Sequence, residues 1–553
     1  MTETKIFTET NIDRLSVNSQ GNEGNNFSIN PSISADGRYI AFESSASNLV
    51  IGDTNNLPDI FIADRQSQTT SIISVNSFGE GGNLSSFNPS VSGDGRFVVF
   101  ESNATNLVEG DSNNTTDIFL RDTLTATTTL VSVDSFGDRG NAASVNPSIS
   151  ADGRFIVFES DATNLVAGDT NNARDIFLRD ALTETTTKIS IDSLCNTANL
   201  SSFNPVISAD GRFIAFDSFA ANLVEGDTNN TRDIFVRDRE TGIVSLVSGN
   251  SSSITPSISA DGRFIAFDSR ATNLISGDTN DARDIFMRDL QAGTTTRVSV
   301  DAFGNEATRS SFKPAISGDG RFVAFDSFDP LLVPGDSNGT NDIFLRDLLN
   351  GTTTRISVNS QGLGGNLTSF NPAISASGEV VAFDSFATNL VEEDTNNNRD
   401  VFVWSQNLVI AGGESSDRLF GGVGGDRLFG NRGEDFLDGG EGDDLLFGGQ
   451  ENDTLLGSDG GDVISGDFGE DILTGGSGGD RFILEREKGR DTIVDFEDGE
   501  DIFLLGGGLV YEDLRIDSLG DRAVISVASS DEILADLIGV PVNVLGAEDF
   551  ALL

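Results

Sequence analysis

Eight aspartates stand nine residues apart, at Asp417, Asp426, Asp435, Asp444, Asp453, Asp462, Asp471 and Asp480. Two places after each comes a large apolar residue: Leu419, Leu428, Leu437, Leu446, Leu455, Ile464, Leu473 and Phe482. The units read GGESSDRLF, GGVGGDRLF, GNRGEDFLD, GGEGDDLLF, GGQENDTLL, GSDGGDVIS, GDFGEDILT and GGSGGDRFI. A fixed period of this kind marks a repeat architecture. The glycine-rich half of each unit predicts a turn, because glycine reaches backbone conformations closed to other residues. The x-apolar-x half predicts a three-residue strand with its middle side chain pointing inward. Alternating turn and strand winds the chain into a coil of parallel strands about 4.8 Å apart. Carboxylates stacked on one edge at that spacing repel by roughly 3.5 kcal/mol at an effective dielectric of about 20. Residues 412–483 carry seventeen Asp and Glu against four Arg, a net of −13. A hard divalent cation with oxygen ligands at about 2.3–2.6 Å relieves that repulsion, and calcium accepts irregular oxygen cages.

These units resemble the RTX nonapeptide G-G-x-G-x-D-x-U-x. The resemblance implies a parallel β-roll with several calcium ions between turns. It also implies that each turn lends its Asp side chain together with backbone carbonyls, here those of Gly421, Val423, Gly439 and Glu441. The units beginning at Gly421, Gly439 and Gly475 match at every glycine. Asn431, Ser458 and Asp467 replace the second glycine elsewhere, and Ser415 and Glu451 replace the third, so weaker binding is expected there.

A longer repeat fills the N-terminal part. Pro31, Pro89, Pro147, Pro205, Pro256, Pro314 and Pro372 mark seven copies, each predicted to hold four strands, with a hairpin turn such as Asp152-Gly153 after the first. Between the second and third strands every copy places Asp, Asn and Asp at relative positions 1, 3 and 7: Asp53, Asn55, Asp59; Asp111, Asn113, Asp117; Asp169, Asn171, Asp175; Asp227, Asn229, Asp233; Asp278, Asn280, Asp284; Asp336, Asn338, Asp342; Asp394, Asn396, Asp400. The seventh copy has Glu393 where a glycine usually stands. Oxygen groups so spaced suit a calcium loop. They suit equally an Asx-turn network, in which the side chains bond nearby amides. Asp64 lies at position 12, where a calcium-binding helix–loop–helix has its last ligand. A strand of five residues reaches about 16 Å, so Asp64 cannot share an ion with Asp53. An acidic residue also ends each second strand (Glu43, Glu101, Glu159, Asp217, Asp268, Asp326, Asp384), where a salt bridge to Arg121 or Arg179 is expected in blades two and three.

The fold expected is all-β: a seven-bladed β-propeller over 1–408, a parallel β-roll over 409–483, and a small cap over 484–553. The blades resemble those of TolB-type, WD40-like propellers, whose core is P-x-[IW]-S-x-D-G followed by D-I-[YF]-V-x-D. The last copy stops after its third strand, and residues 12–20 resemble a fourth strand that would seal the ring.

Composition narrows the function. The chain of 553 residues carries a net charge of −52. Nucleic acid and anionic membrane surfaces are poor partners for that field, and cations are good ones. There is no histidine, which removes H-E-x-x-H zinc sites and His-activated nucleophiles. A single Cys195 allows no internal disulfide. The G-x-S-x-G at 475–479 lies inside a nonapeptide and has no base beside it. No apolar run is long enough to span a membrane. The N-terminus lacks the apolar core of a secretory signal, and the C-terminal region resembles the uncleaved type I export region of RTX proteins. The expected protein is a non-enzymatic, monomeric, secreted calcium binder. Its propeller would engage an extracellular or cell-surface protein or glycan. The alternative is an extracellular carboxylate-based hydrolase acting on polysaccharide across the propeller face.

Overall fold

The computed structural model describes the chain apart from residues 1–4, 54, 112, 230, 250, 393 and 521, and apart from the side chains of 5–10 and 423. Glu393 therefore falls outside the described residues. The chain forms two compact units, Ile12–Trp404 and Met1–Asn11 with Ser405–Leu553.

The first unit is built from blades. In blade one, β2 (Ser28–Ile33), β3 (Tyr39–Ser44), β4 (Asp59–Asp64) and β5 (Thr69–Ile72) follow one another as an antiparallel meander. Five further four-stranded sheets repeat it. The seventh blade contains Ser369–Ile374, Val380–Ser385 and the start of Asp400–Ala411, against which β1 (Lys5–Arg14) pairs. The paired strand thus begins upstream of residue 12 and ends at Arg14, leaving 15–20 as the turn that follows. The innermost strands touch one another around a closed ring, Ser28–Ile33 meeting Ser369–Ile374.

The middle strands read as continuous apolar runs because neighbouring blades cover both faces. Ala41, Ile60 and Ile62 of blade one pack with Val98, Phe100 and Phe119 of blade two. Within a blade the central rings pair, Phe42 with Phe61 at 5.9 Å and Phe158 with Phe177 at 6.0 Å.

The second unit is a parallel solenoid. Successive nonapeptides alternate between two sheets, so Arg418–Val423 pairs with Phe436–Glu441 and Arg427–Arg432 with Leu445–Gln450. One turn of about five is therefore eighteen residues, two nonapeptides. The strands are six residues long, not three, except the last, Arg481–Leu484, which has four. Parallel pairing continues across the glycines, as in Gly422↔Gly440, and holds them in the ladder. The eight inward residues from Leu419 to Phe482 form one buried column. Phe496, Phe503 and Phe550 stack over its end. The antiparallel strands Leu514–Leu519, Arg522–Val527 and Glu532–Leu537 extend one sheet. A solenoid needs such a covering to shield its last apolar layer.

Candidate metal centre

Two strands per turn sort the repeat aspartates into two columns, Asp417, Asp435, Asp453, Asp471 and Asp426, Asp444, Asp462, Asp480. Within a column each carboxylate after the first accepts the amide N–H of the aspartate one turn earlier, while Asp417 accepts from Gly413 N at 2.6 Å and Asp426 from Leu408 N at 2.5 Å. Asp435 Oδ1 accepts from Asp417 N at 2.7 Å, Asp462 Oδ1 from Asp444 N at 2.8 Å, and Asp480 Oδ1 from Asp462 N at 2.9 Å. The columns continue past the nonapeptides. Asp491 Oδ1 accepts from Asp471 N at 3.3 Å and Asp501 Oδ1 from Asp480 N at 2.8 Å. Asp495 holds the amides of Gly475 and Gly476 at 2.9 Å.

The second carboxylate oxygen has a different fate. Oδ2 of Asp435, Asp444, Asp453, Asp462, Asp471 and Asp480 is buried and accepts no hydrogen bond. Each of these oxygens faces the first glycine of its own nonapeptide. A methyl group built on Gly448 would lie 2.5 Å from Asp453 Oδ2 and 2.8 Å from Gly466 O. On Gly430 it would lie 2.5 Å from Asp435 Oδ2 and close to Gly448 O. The absent side chain thus leaves a notch bounded by a carboxylate oxygen that meets no donor and, as at Gly430 and Gly448, by a carbonyl. Buried acceptors are costly unless they are paired. Burial first, and then neighbouring carboxylates, push Asp444 up to about 9, Asp462 to about 8, and Asp453 and Asp480 to about 7. Among the described residues no three acidic side chains gather in one metal-binding group, so a cation here would draw on carbonyls as well. This donor set of hard oxygens fits calcium.

Of the carbonyls expected to contribute, that of Gly439 stands at the Gly421 notch beside Asp426 Oδ2. The carbonyl of Glu441 accepts the amide of Gly424 at 2.6 Å. The substituted turns keep the repeat geometry: Asn431, Glu451, Ser458 and Asp467 adopt φ of 74°, 80°, 82° and 62°. The G-x-S-x-G serine, Ser477, ends a solenoid strand and donates to Asp459 Oδ1 at 2.7 Å.

The blade loops follow the Asx-turn geometry. Asn55 Oδ1 accepts Leu57 N at 2.7 Å, while its Nδ2 donates to Asp59 Oδ2 at 2.8 Å and to Gly82 O at 3.0 Å. Ser74 Oγ donates to Asp59 Oδ1 at 2.6 Å. In five blades a basic side chain of the protein also reaches the loop. Lys188 Nζ bridges Asp169 at 3.0 Å and Asp175 at 2.6 Å. Arg139 pairs with Asp111 at 3.1 Å, Arg297 with Asp278 at 3.4 Å, Arg355 with Asp336 at 3.0 Å and Arg14 with Asp394 at 3.5 Å. Asp64 is held by Arg38 through two bonds of 2.8 Å, well away from Asp53 chemistry.

The carboxylates that end the second strands are placed differently from expectation. Arg121 and Arg179 do not reach them. Arg121 donates to the carbonyls of Asn76 and Ala126, and Arg179 to those of Asp134 and Glu184. The guanidinium comes from the residue just before the third strand. Arg174 meets Glu159 at 3.2 Å, Arg283 meets Asp268 at 2.6 Å, and Arg232 and Arg399 meet Asp217 and Asp384. Blades one, two and six have Pro58, Thr116 and Asn341 at that place. Asn residues of the innermost strands complete a polar ring: Asn88 Nδ2 donates to Glu101 Oε1 at 3.0 Å and to Asn146 Oδ1 at 3.3 Å. Burial pushes Glu43, Asp217 and Asp326 up to about 7 and Asp384 to about 6. Sequence spacing had no means of finding this ring, which forms only when seven inner strands meet.

Fold and geometry define an all-β protein in which a propeller accompanies a parallel solenoid with acceptor-lined glycine notches. Residues 411–446 and 447–482 match the family of the RTX calcium-binding nonapeptide repeat. That segment is therefore RTX repeat, and calcium is the ion such repeats bind. No curated protein matches the chain. Among solved structures, oligogalacturonate lyase from Vibrio parahaemolyticus is 13% identical, with a TM-score of 0.45, covering 73% of this chain and 97% of its own. The β-propeller domain of the Trilobed protease from Pyrococcus furiosus is 14% identical with a TM-score of 0.45, covering 68% and 93%. TolB from Acinetobacter baumannii is 15% identical with a TM-score of 0.33, covering 68% and 78%.

Proposed function

We propose that the roll takes up calcium at the glycine notches of Asp417, Asp426, Asp435, Asp444, Asp453, Asp462, Asp471 and Asp480, and that this uptake orders the domain outside the cell. The observation that carries the reading is the row of buried Oδ2 atoms with no donor from Asp435 to Asp480, each facing a bare glycine; in the first unit Asp417 Oδ2 accepts Gly413 N at 2.6 Å. Several sites of the affinity usual for extracellular calcium modules, about 10⁻⁴–10⁻³ M, leave the segment open where calcium is scarce and close it where calcium is plentiful. Ligand that binds only the folded state adds RT ln(1 + [L]/Kd) at each site. Such a switch suits type I export, the route by which RTX repeat proteins are typically secreted.

The propeller is the binding module in this reading, directed at an extracellular or cell-surface protein or glycan. Its support is the near-equivalence of the blades, since one loop geometry recurs and no blade carries a long unique insertion. A hydrolase would need one asymmetric pair of carboxylates. The ring carboxylates instead engage Asn, Arg and backbone groups.

The test is calcium titration of the chelated full chain, followed by far-UV circular dichroism and mapped limited proteolysis. Cleavage within 412–483 should be rapid in chelator and suppressed by millimolar calcium but not by equal magnesium. Equal protection in chelator and in calcium would end the proposal.

A further inference from the structure

Five of the seven blade loops hold a cation that belongs to the protein itself, and two do not. The positions that supply it can be compared by register. Lys188, Arg297 and Arg355 each pair across from the central phenylalanine of the third strand, as Phe177↔Lys188, Phe286↔Arg297 and Phe344↔Arg355. The same register places Ile72 opposite Phe61 in blade one and Leu246 opposite Phe235 in blade four. Blade two has Leu130 there, but Arg139 enters its loop from the following turn. Among the described residues no basic side chain pairs with Asp53 or Asp59, or with Asp227 or Asp233.

In blade four the oxygen left over is the one the sister loops use, and in blade one it belongs to the first aspartate of the loop. In blade three Lys188 binds Asp175 Oδ2, and in blades five and six Arg297 and Arg355 approach the equivalent Oδ2 of Asp284 and Asp342. In blade four the equivalent Asp233 is fully buried; Oδ1 accepts from Ser248 Oγ at 2.7 Å and Oδ2 has no hydrogen-bond partner. In blade one the orphan is Asp53 Oδ2. A buried carboxylate oxygen without a donor is expensive, and two carboxylates in one loop increase that cost.

We infer that the loops of blades one and four each take a free hard cation, calcium in a calcium-rich medium, at the place where Lys188 puts its ammonium in blade three. Asp53 with Asp59, and Asp227 with Asp233, supply the anionic oxygens. The tethered ammonium or guanidinium excludes the ion from the other five loops. The propeller then binds calcium at two places independently of the roll.

The test moves the tethered cation. Ile72→Lys and Leu246→Lys, made in the full chain, should each lower bound calcium by about one ion per chain. Bound ion is counted by equilibrium dialysis and elemental analysis after passage over chelating resin. Lys188→Met in blade three should raise the count by about one, because it leaves that loop in the state of blade one. Near-ultraviolet circular dichroism in calcium checks that each variant keeps its packing, and Asp53→Asn and Asp227→Asn provide a second route should a lysine variant fail to fold. Unchanged stoichiometry in the folded lysine and asparagine variants alike would overturn the inference. A drop in the lysine variants with a gain in Lys188→Met would establish it.

Discussion

At the residue scale, the first glycine of each nonapeptide matters for the space it leaves. Gly448 stays in the ordinary extended region of the backbone. Alanine there meets no conformational barrier; the obstacle is the methyl group itself, which would enter the notch between Asp453 Oδ2 and Gly466 O. Gly448→Ala should therefore leave the secondary structure of the calcium-loaded chain intact while weakening one site, seen as a higher midpoint in the calcium titration. A midpoint matching the parent chain would show that the notch holds no ion. Asn431, Ser458 and Asp467 differ in kind, because they occupy left-handed backbone directly. Asn431→Gly should stabilise the roll slightly, by a few tenths of a kcal/mol up to about 1 kcal/mol, measurable by urea denaturation in calcium.

At the element scale, the roll is held by one apolar column and two acidic columns that oppose each other energetically. Leu446 is fully buried in the middle of the apolar column. Leu446→Ala should cost about 2–5 kcal/mol, and the loss should appear as a higher calcium requirement for folding, since burial and ion binding stabilise the same state. A titration midpoint unmoved by this substitution would separate folding from calcium binding. The blade is stabilised by another repeated device. Arg38, Arg96, Arg154, Arg212, Arg263 and Arg321 each grip the aspartate that ends the third strand and lie over the ring that follows them in sequence. Blade seven has Glu379 and Ser405 in these two places, so both halves of the pair are missing together.

At the scale of the whole propeller, the polar ring around the inner strands ties stability to pH. Glu43, Asp217 and Asp326 are pushed up to about 7, and Asp384 to about 6, chiefly by burial. Their unfolded values lie near 4. The folded state therefore binds more protons than the unfolded state between about pH 4 and pH 7. The contribution of these groups is fully present below the unfolded values and is lost as pH rises through 6 and 7. In saturating calcium, the urea midpoint of the propeller should fall from pH 5 to pH 8. Glu43→Gln, which cannot ionise, should flatten that slope. A midpoint that climbs toward pH 8 would mean the ring is ionised and satisfied in the folded state. Much of this scale was legible beforehand. Seven prolines at near-constant spacing and an incomplete last copy were sufficient for a propeller, because each copy alone has too little apolar surface to bury and must pack against its neighbours.

The sequence by itself determined the two periods, the all-β character and the acidic repeat, since nine-residue and 58-residue spacings act on local turn and strand geometry. It also specified which oxygens are available in the roll, because aspartate type and spacing are local properties. The tertiary structure alone decided how those oxygens are shared. Winding two nonapeptides per turn placed Oδ1 of the aspartates from Asp426 to Asp480 on an amide eighteen residues away, and from Asp435 onward left Oδ2 facing a glycine. Closing the blades put Lys188 into one Asp-Asn-Asp loop and left Ile72 beside another, with seven copies of nearly the same local text. The physical reason is that the identity of the counter-charge depends on which side chain the fourth strand, or the turn after it, presents to the loop, and the Asp-Asn-Asp spacing does not encode that residue.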